Sequence, residues 1–343
     1  MLPKRNLRVF GKIDMFVKQK KLPDVGVVRK NCPLSDKLTN IKRQFDELIK
    51  DNFVARNKLT VICGPCAADS YDSMSEYLRK LSRMQASYPD LLIVARIYTA
   101  KPHSNGQGYL GTCFHERVSD FADLEQGINR ARGIMRECLE LGLPVADELL
   151  YPELYPYFSD LVSYWFVGAR SSEDALHRGF ASGLDLCCGV KNGTDGDVCK
   201  AVDSLYAITK PCVFPFDGAQ IETCGCKYAH IVLRGGKSGD EFHKNILPDH
   251  TRFAKERLRS SGLNDFLMAD LSHANSCKTA ANQIENARLV ATNPDVNGVV
   301  LESYLCGGVA ENGYGTSKTD ECLSLDDTVR VLDILQNGFV SRR

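Results

Sequence analysis

What most narrows the fold of this chain is an alternation. From residue 58 onward, short apolar runs take turns with longer segments whose apolar residues recur every three or four positions. Eight short runs occur: LTVICGP (59–65), LLIVARIY (91–98), LPVADEL (143–149), SYWFVGA (163–169), DLCCGVK (185–191), YAHIVLRG (228–235), FLMADLSH (266–273) and VNGVVLES (296–303). Between them lie helical patterns such as SMSEYLRKLSRMQ (73–85), LEQGINRARGIMRECLEL (124–141) and CKTAANQIENARLVA (277–291). Continuously apolar runs of strand length suit strands buried on both faces, and helical crossovers are how parallel strands of that kind are joined. Eight such units predict an α/β fold of the (β/α)₈ TIM-barrel type.

A length of 343 residues accommodates one barrel and an extension. Residues 1–57 are charged and irregular apart from one amphipathic stretch, SDKLTNIKRQFDELIKDNF (35–53), and read as an N-terminal extension to a catalytic barrel over 58–343. The segment PCVFPFDGAQIETCGCK (211–227) has strand-like pieces and turn residues, and is expected to be a hairpin inserted before the sixth strand. No internal repeat or low-complexity segment interrupts the pattern.

Lysine plus arginine equal aspartate plus glutamate at 43 each, so no basic excess points to nucleic acid or to an anionic membrane. The N-terminus MLPKRNLRVFGKIDMF lacks the apolar core of a secretory signal, and no run is long enough to span a bilayer. A cytoplasmic location follows as the expectation. Fourteen cysteines scattered through apolar segments fit a reducing compartment, where most act as small buried hydrophobes.

Every strand ends in a functional group: Cys66, Arg96, Glu148, Arg170, Lys191, Arg234, His273 and Glu302 in chain order. For any one of them, the plain explanation is that a strand stops where polar loop begins. In a barrel, however, all eight C-terminal strand ends converge on one mouth, and together they would ring a single pocket. Arg96, Arg170, Lys191 and Arg234 concentrate positive charge suited to phosphate and carboxylate oxygens, implying a small polyanionic substrate. Cys66, His273 and Glu302, with an acidic loop residue such as Asp320, make a sulfur, nitrogen and oxygen set suited to a divalent first-row transition metal.

Weaker signals compete with this reading. Cys63-Gly-Pro-Cys66 has the spacing of a dithiol redox site, but no thioredoxin-like domain surrounds it; oxidation of Cys66 with Cys63 is expected to remove a metal ligand and switch activity off. Gly106-x-Gly108-x-x-Gly111 matches a dinucleotide fingerprint but follows a loop instead of a strand. Cys224-Gly-Cys226 lacks a companion pair and reads as a turn in the hairpin. Trp165, His177 and His230 read as structural.

The motifs GPC (64–66), ARIYTAKP (95–102), VGAR (167–170), HRGFASGL (177–184), VKNGTDG (190–196), HIVLRGGK (230–237), DLSHANS (270–276), LES (301–303) and YGTSKTDEC (314–322) lie in one order along the chain. In them the chain resembles the class I 3-deoxy-D-arabino-heptulosonate 7-phosphate (DAHP) synthases over roughly residues 58–335. The resemblance implies a barrel enzyme that joins phosphoenolpyruvate to erythrose 4-phosphate at the head of the shikimate pathway. It also implies one divalent metal ion (manganese, iron, cobalt or zinc) and a homodimer or homotetramer, with the N-terminal extension serving oligomer contacts or regulation. Carried over residue by residue, the metal ligands fall on Cys66, His273, Glu302 and Asp320. The phosphoenolpyruvate contacts fall on Arg96, Lys101, Glu148, Arg170, Lys191 and Arg234. Lys101, Glu148 and His273 are the expected catalytic groups, with Lys101 protonating the new alkoxide and Glu148 handling water.

The chain departs from that family around the aldehyde acceptor. Where the family has KPRT and then a Gly-Trp-Lys-Gly stretch, this sequence has Lys101-Pro102-His103-Ser104 followed by Asn105-Gly106-Gln107-Gly108-Tyr109-Leu110-Gly111. Tyr151 and Tyr304 replace an aspartate and a histidine. Pro102, His103, Ser104 and Asp320 are therefore the acceptor candidates, but a neutral His103 is no substitute for a permanent bidentate cation. Two alternatives stand beside the standard reaction: a paralogue that uses a different, unphosphorylated aldehyde, and a non-catalytic regulatory homologue. The second would be expected to lose site residues that this chain keeps.

Overall fold

All eight apolar runs become strands, and they close on themselves. The computed structural model describes residues 20–102, 108–117, 120 and 122–342. The barrel strands are β1 (Leu59–Gly64), β2 (Leu91–Arg96), β3 (Val145–Glu148), β4 (Tyr164–Val167), β5 (Cys187–Lys191), β6 (Ala229–Leu233), β7 (Leu267–Asp270) and β8 (Gly298–Glu302). Each pairs in parallel with its neighbours in sequence order, and β8 returns to β1 with Glu302 beside Gly64. Helices follow the strands, so the chain is a (β/α)₈ barrel.

Strand side chains alternate between two cores. Outward residues such as Val61, Cys63, Ile93, Val145 and Trp165 pack under the helices. Inward residues Ile62, Leu92, Val94, Ala146, Tyr164, Phe166, Val232, Met268 and Val300 fill the barrel. Before β1 come α1 (Val25–Asn31) and α2 (Asp36–Ala55); Ser35 caps α2 by accepting from the Leu38 N–H. Ile49 and Phe53 of α2 join the inward core, where Phe53 lies 4.9 Å from Phe266 and 5.4 Å from His230, ring to ring. Asn52 bonds Thr60 and Lys58, so the same turn of helix that plugs the N-terminal mouth is tied to the start of β1.

The inserted hairpin forms as expected, from antiparallel strands Val213–Phe216 and Ala219–Glu222, but its turn is Asp217-Gly218, and Cys224 and Cys226 lie beyond it in the irregular segment leading to β6. A second two-stranded ribbon, Gly236–Ser238 with Glu241–His243, carries no apolar alternation and is not legible in the sequence. The helix expected from residue 277 begins at Asn282 instead, because Cys277 and Lys278 adopt left-handed backbone at φ +54° and +60°. No helix among the described residues is long and apolar enough to cross a membrane. After β1, α3 (Tyr71–Gln85) packs on α4 (Leu124–Glu140), which follows β2.

The floor of the barrel makes a pH-dependent contribution to stability. Burial holds the His230 imidazole down at about 4, against an ordinary value near 6.5. Its Nε2 meets the Tyr164 hydroxyl. As pH falls below 6.5 the unfolded chain gains a proton that the folded chain refuses, so stability declines between pH 6.5 and 4, by up to about 3 kcal/mol. Urea unfolding across that window should show the decline, and His230→Gln should flatten it relative to the parent; identical pH slopes would contradict this role.

Candidate functional site

The inward register that fills the barrel with apolar groups delivers charged ones at its C-terminal mouth. Two residues beyond Val94 is Arg96, beyond Gly189 is Lys191, beyond Val232 is Arg234, beyond Met268 is Asp270, and beyond Val300 is Glu302. Arg96, Lys191, Asp270 and Glu302 are almost wholly buried, and Arg234 nearly so. Charges at such depth persist only when paired. Arg96 Nη2 donates to Glu302 Oε1 at 2.9 Å and to the Cys66 carbonyl at 3.0 Å, while its guanidinium lies 3.8 Å from the Tyr98 ring centroid. Lys191 Nζ meets Asp270 Oδ2 at 3.2 Å and lies over the rings of Tyr98 and Phe166. Gly168, in the loop after β4, leaves room for Glu148: a Cβ there would stand 2.1 Å from its carboxylate oxygen.

Arg96, Lys101, Pro102, Glu148, Arg170, Lys191, Arg234, His273 and Asp320 line one pocket at this mouth, together with Tyr98, Ala169 and Lys278. Ligand atoms of Cys66, Glu302 and Asp320 lie within 4.8 Å of one another beside it. The expected residues from eight strand ends therefore gather, except that His103 and Ser104 lie outside the described residues. A larger hollow of about 480 Å³ lies between the hairpin and the helix Ala175–Ala181. Its wall is mainly Tyr155, Phe180, Leu184, Phe214 and Ile221, without the convergent cations of the barrel mouth.

The pocket has two halves. On the anion side, Nε and Nη1 of Arg96 and Nε of Arg234 are buried with no hydrogen-bond partner among the described residues. Burial lowers the affinity of Arg234 and Lys191 for their protons, opposed by Asp270. Such orphaned donors are costly unless a ligand accepts from them. On the other side, burial and the Glu302 carboxylate push the Cys66 thiol up to about 11. The Lys101 ammonium stands 2.5 Å from Cys66 Sγ and 3.0 Å from Asp320 Oδ2, and Lys278 reaches the other Asp320 oxygen at 3.4 Å. Burial opposes the charge on Glu302, but His273, Arg96 and Lys101 hold its carboxyl below the ordinary range. A buried carboxylate, a half-buried one and a buried thiol, the last two meeting one ammonium, form a donor set that fits a divalent transition metal.

His273 sits apart from the three clustered ligand atoms. Its Nε2 is 3.5 Å from Glu302 Oε1, while Nδ1 is 2.8 Å from Asp270 Oδ2, off the N–H axis. Its backbone is left-handed, φ +54°, an unusual conformation for a residue with a side chain. Asp270 and Ser272, which donates to Glu302 Oε2 at 2.8 Å, were not singled out by sequence. The signal for Asp270 was available: it continues the inward series Phe266, Met268.

Cys63 faces away from this set, its sulfur 3.2 Å from the Tyr77 hydroxyl under α3, and all fourteen cysteines are free. In the glycine motif, Gly106 is outside the described residues, and the next described helix starts only at Leu124. His177 bonds Asp174 and the Leu150 carbonyl. Trp165 is buried in the outer core.

The departures around the acceptor converge. The Tyr109 hydroxyl bonds the Ala68 carbonyl, and its ring underlies Lys318, whose ammonium meets Asp69 at 3.4 Å and the Glu116 carbonyl at 2.8 Å. Tyr304 bonds Asp69 as well, and Tyr151 packs on Phe114. These groups brace segment 108–117 against the loops that carry Cys66 and Asp320.

Comparison with known proteins agrees with this geometry. The chain is 34% identical over 337 residues to the phospho-2-dehydro-3-deoxyheptonate aldolase of Corynebacterium glutamicum, covering 91% of this chain and 90% of that one. It is 31% identical to the Phe-sensitive enzyme of that name from Escherichia coli, covering 96% and 98%. The solved structure of the Francisella tularensis phospho-2-dehydro-3-deoxyheptonate aldolase superposes with a TM-score of 0.89 at 30% identity, covering 95% of this chain and 99% of that one. The family model described as the DAHP synthetase I family matches residues 50–336, and this chain, an enzyme with that family's barrel, belongs to it.

Proposed function

We propose that the chain joins phosphoenolpyruvate to erythrose 4-phosphate, giving 3-deoxy-D-arabino-heptulosonate 7-phosphate and inorganic phosphate. A divalent manganese, iron, cobalt or zinc ion would be held by Cys66, His273, Glu302 and Asp320. The single observation that carries this reading is the set of buried donors on Arg96 and Arg234, without a partner among the described residues, beside the three clustered ligand atoms. Phosphoenolpyruvate brings a carboxylate and a phosphate on three carbons, and a fixed array of cations holds both in one orientation.

In this reading Arg96, Arg170, Lys191 and Arg234 bind and orient the two anionic groups. Carbon 3 of phosphoenolpyruvate then bonds to the aldehyde carbon, and the aldehyde oxygen takes a proton from Lys101, which stands at the seam between the two halves. Water adds to carbon 2, with Glu148 placing it and accepting its proton. The resulting hemiketal phosphate breaks its C–O bond to phosphate and leaves the ketone. When bound, the metal ion supplies Lewis acidity and charge neutralisation next to the acceptor.

A second reading is favoured by one observation. Tyr109, Tyr151 and Tyr304 brace the acceptor loop through hydroxyls and rings where phosphate recognition calls for cations. Such bracing is compatible with an unphosphorylated aldehyde. The proposal extends to assembly: residues 1–57 serve subunit contacts or regulation of the 58–343 barrel in a cytoplasmic homodimer or homotetramer.

Two outcomes are expected. Cys66→Ser should weaken Co²⁺ binding at least 100-fold in a titration and abolish the thiolate-to-cobalt charge-transfer band, while the fold is kept; an unchanged band would remove Cys66 from the ligand set. Lys101→Met should bind phosphoenolpyruvate but turn over at least 10³-fold more slowly. Turnover of the parent with erythrose 4-phosphate and a panel of unphosphorylated aldehydes, read by product mass, decides between the two acceptors.

A further inference from the structure

Asp270 closes β7 in the inward register, fully buried between the two halves of the pocket. One of its oxygens, Oδ2, lies 3.2 Å from Lys191 Nζ and 2.8 Å from His273 Nδ1. The other, Oδ1, accepts from the Ser272 N–H at 3.1 Å, and the residue's carbonyl accepts from Asn275 Nδ2 at 2.8 Å. Both carboxylate oxygens and the backbone are engaged, so the carboxylate cannot swing away from either partner.

We propose that Asp270 is a positioning residue that couples the halves, fixing through a single oxygen the imidazole of His273 on the metal side and the ammonium of Lys191 on the anion side. The inference rests on the function proposed above. Asp270 Oδ2 lies off the Nδ1 axis, but a carboxylate oxygen 2.8 Å away still disfavours a bare lone pair there, so in this proposal Nδ1 carries the proton and Nε2, 3.5 Å from Glu302, is the nitrogen with ligand capacity. Partners of this kind commonly orient metal-binding histidines. Lys191 in turn is buried near Arg96 and Arg234, which both oppose its charge, and Asp270 does most to favour it. Removing the carboxylate would therefore disturb both halves at once.

The test is Asp270→Asn in the full chain, a change that keeps volume and removes charge. Mn²⁺ affinity, by electron paramagnetic resonance titration, is expected to fall 10- to 100-fold. Phosphoenolpyruvate affinity of Mn²⁺-saturated protein, by calorimetry, is expected to fall at least tenfold. Lys191→Met is the comparator: it should lose phosphoenolpyruvate affinity alone, with Mn²⁺ affinity within about threefold of the parent. A folded Asp270→Asn variant with both affinities within twofold of the parent overturns the proposal. Should that variant not fold, nitrogen-15 spectra of imidazole-labelled, Zn²⁺-loaded parent protein decide, with the His273 signal assigned by its absence in His273→Gln. A proton on Nδ1 and zinc on Nε2 support the proposal; zinc on Nδ1 overturns it. A parent that binds neither Mn²⁺ nor phosphoenolpyruvate fails the functional reading itself, an outcome distinct from a normal parent with an indifferent variant.

Discussion

The contact on which the site depends is the buried pair between Arg96 and Glu302, 2.9 Å apart and out of reach of solvent. Desolvating two such charges is expensive, and their attraction offsets the cost only when geometry is good and the remaining groups find partners. Here Glu302 finds its second partner in Ser272, and the shared Arg96 nitrogen also donates to the Cys66 carbonyl. What stays unsatisfied on Arg96 among the described residues is Nε and Nη1, in a side chain that lines the pocket. The pair thus holds a carboxylate for one half of the site and an arginine with spare donors at the other. Breaking it by removing one partner would leave a lone buried charge, a loss of about 3–5 kcal/mol.

The rest of the barrel makes that pair possible. Period-two alternation places an apolar residue below each charged one on the inward face, so the floor of the pocket is dry and electrostatics above it are weakly screened. The floor is closed from beneath by Ile49 and Phe53 of α2. Closure of β8 onto β1 sets Glu302 beside Gly64, two residues before Cys66. A ligand from the start of the barrel and one from its end, more than two hundred residues apart, become neighbours through that single register.

Much of this was legible in the sequence because it is periodic. The eight strands, the hairpin and the charged strand ends follow from apolar runs and from what interrupts them. Asp270 escaped because the apolar run reads on to His273, three residues past the true strand end at Asp270; only counting inward positions from Phe266 would have exposed it. The ribbon at 236–243 was hidden because it has no apolar face. The late start of the helix Asn282–Ala291 was hidden because left-handed residues other than glycine, Cys277 and Lys278, leave no compositional mark. The cluster of Tyr109, Tyr304, Asp69 and Lys318 joins three separate loops. Sequence identified two of its members as departures from the family pattern, but their common location depends on tertiary contact.

The most direct measurement is a crystal structure of the protein grown with Mn²⁺ and phosphoenolpyruvate, with anomalous data collected for manganese. The account predicts one strong anomalous peak among Cys66 Sγ, Glu302 and Asp320, with phosphoenolpyruvate oxygens on the spare nitrogens of Arg96 and Arg234. Manganese bound away from those three side chains, or phosphoenolpyruvate lying outside the barrel mouth, would contradict it.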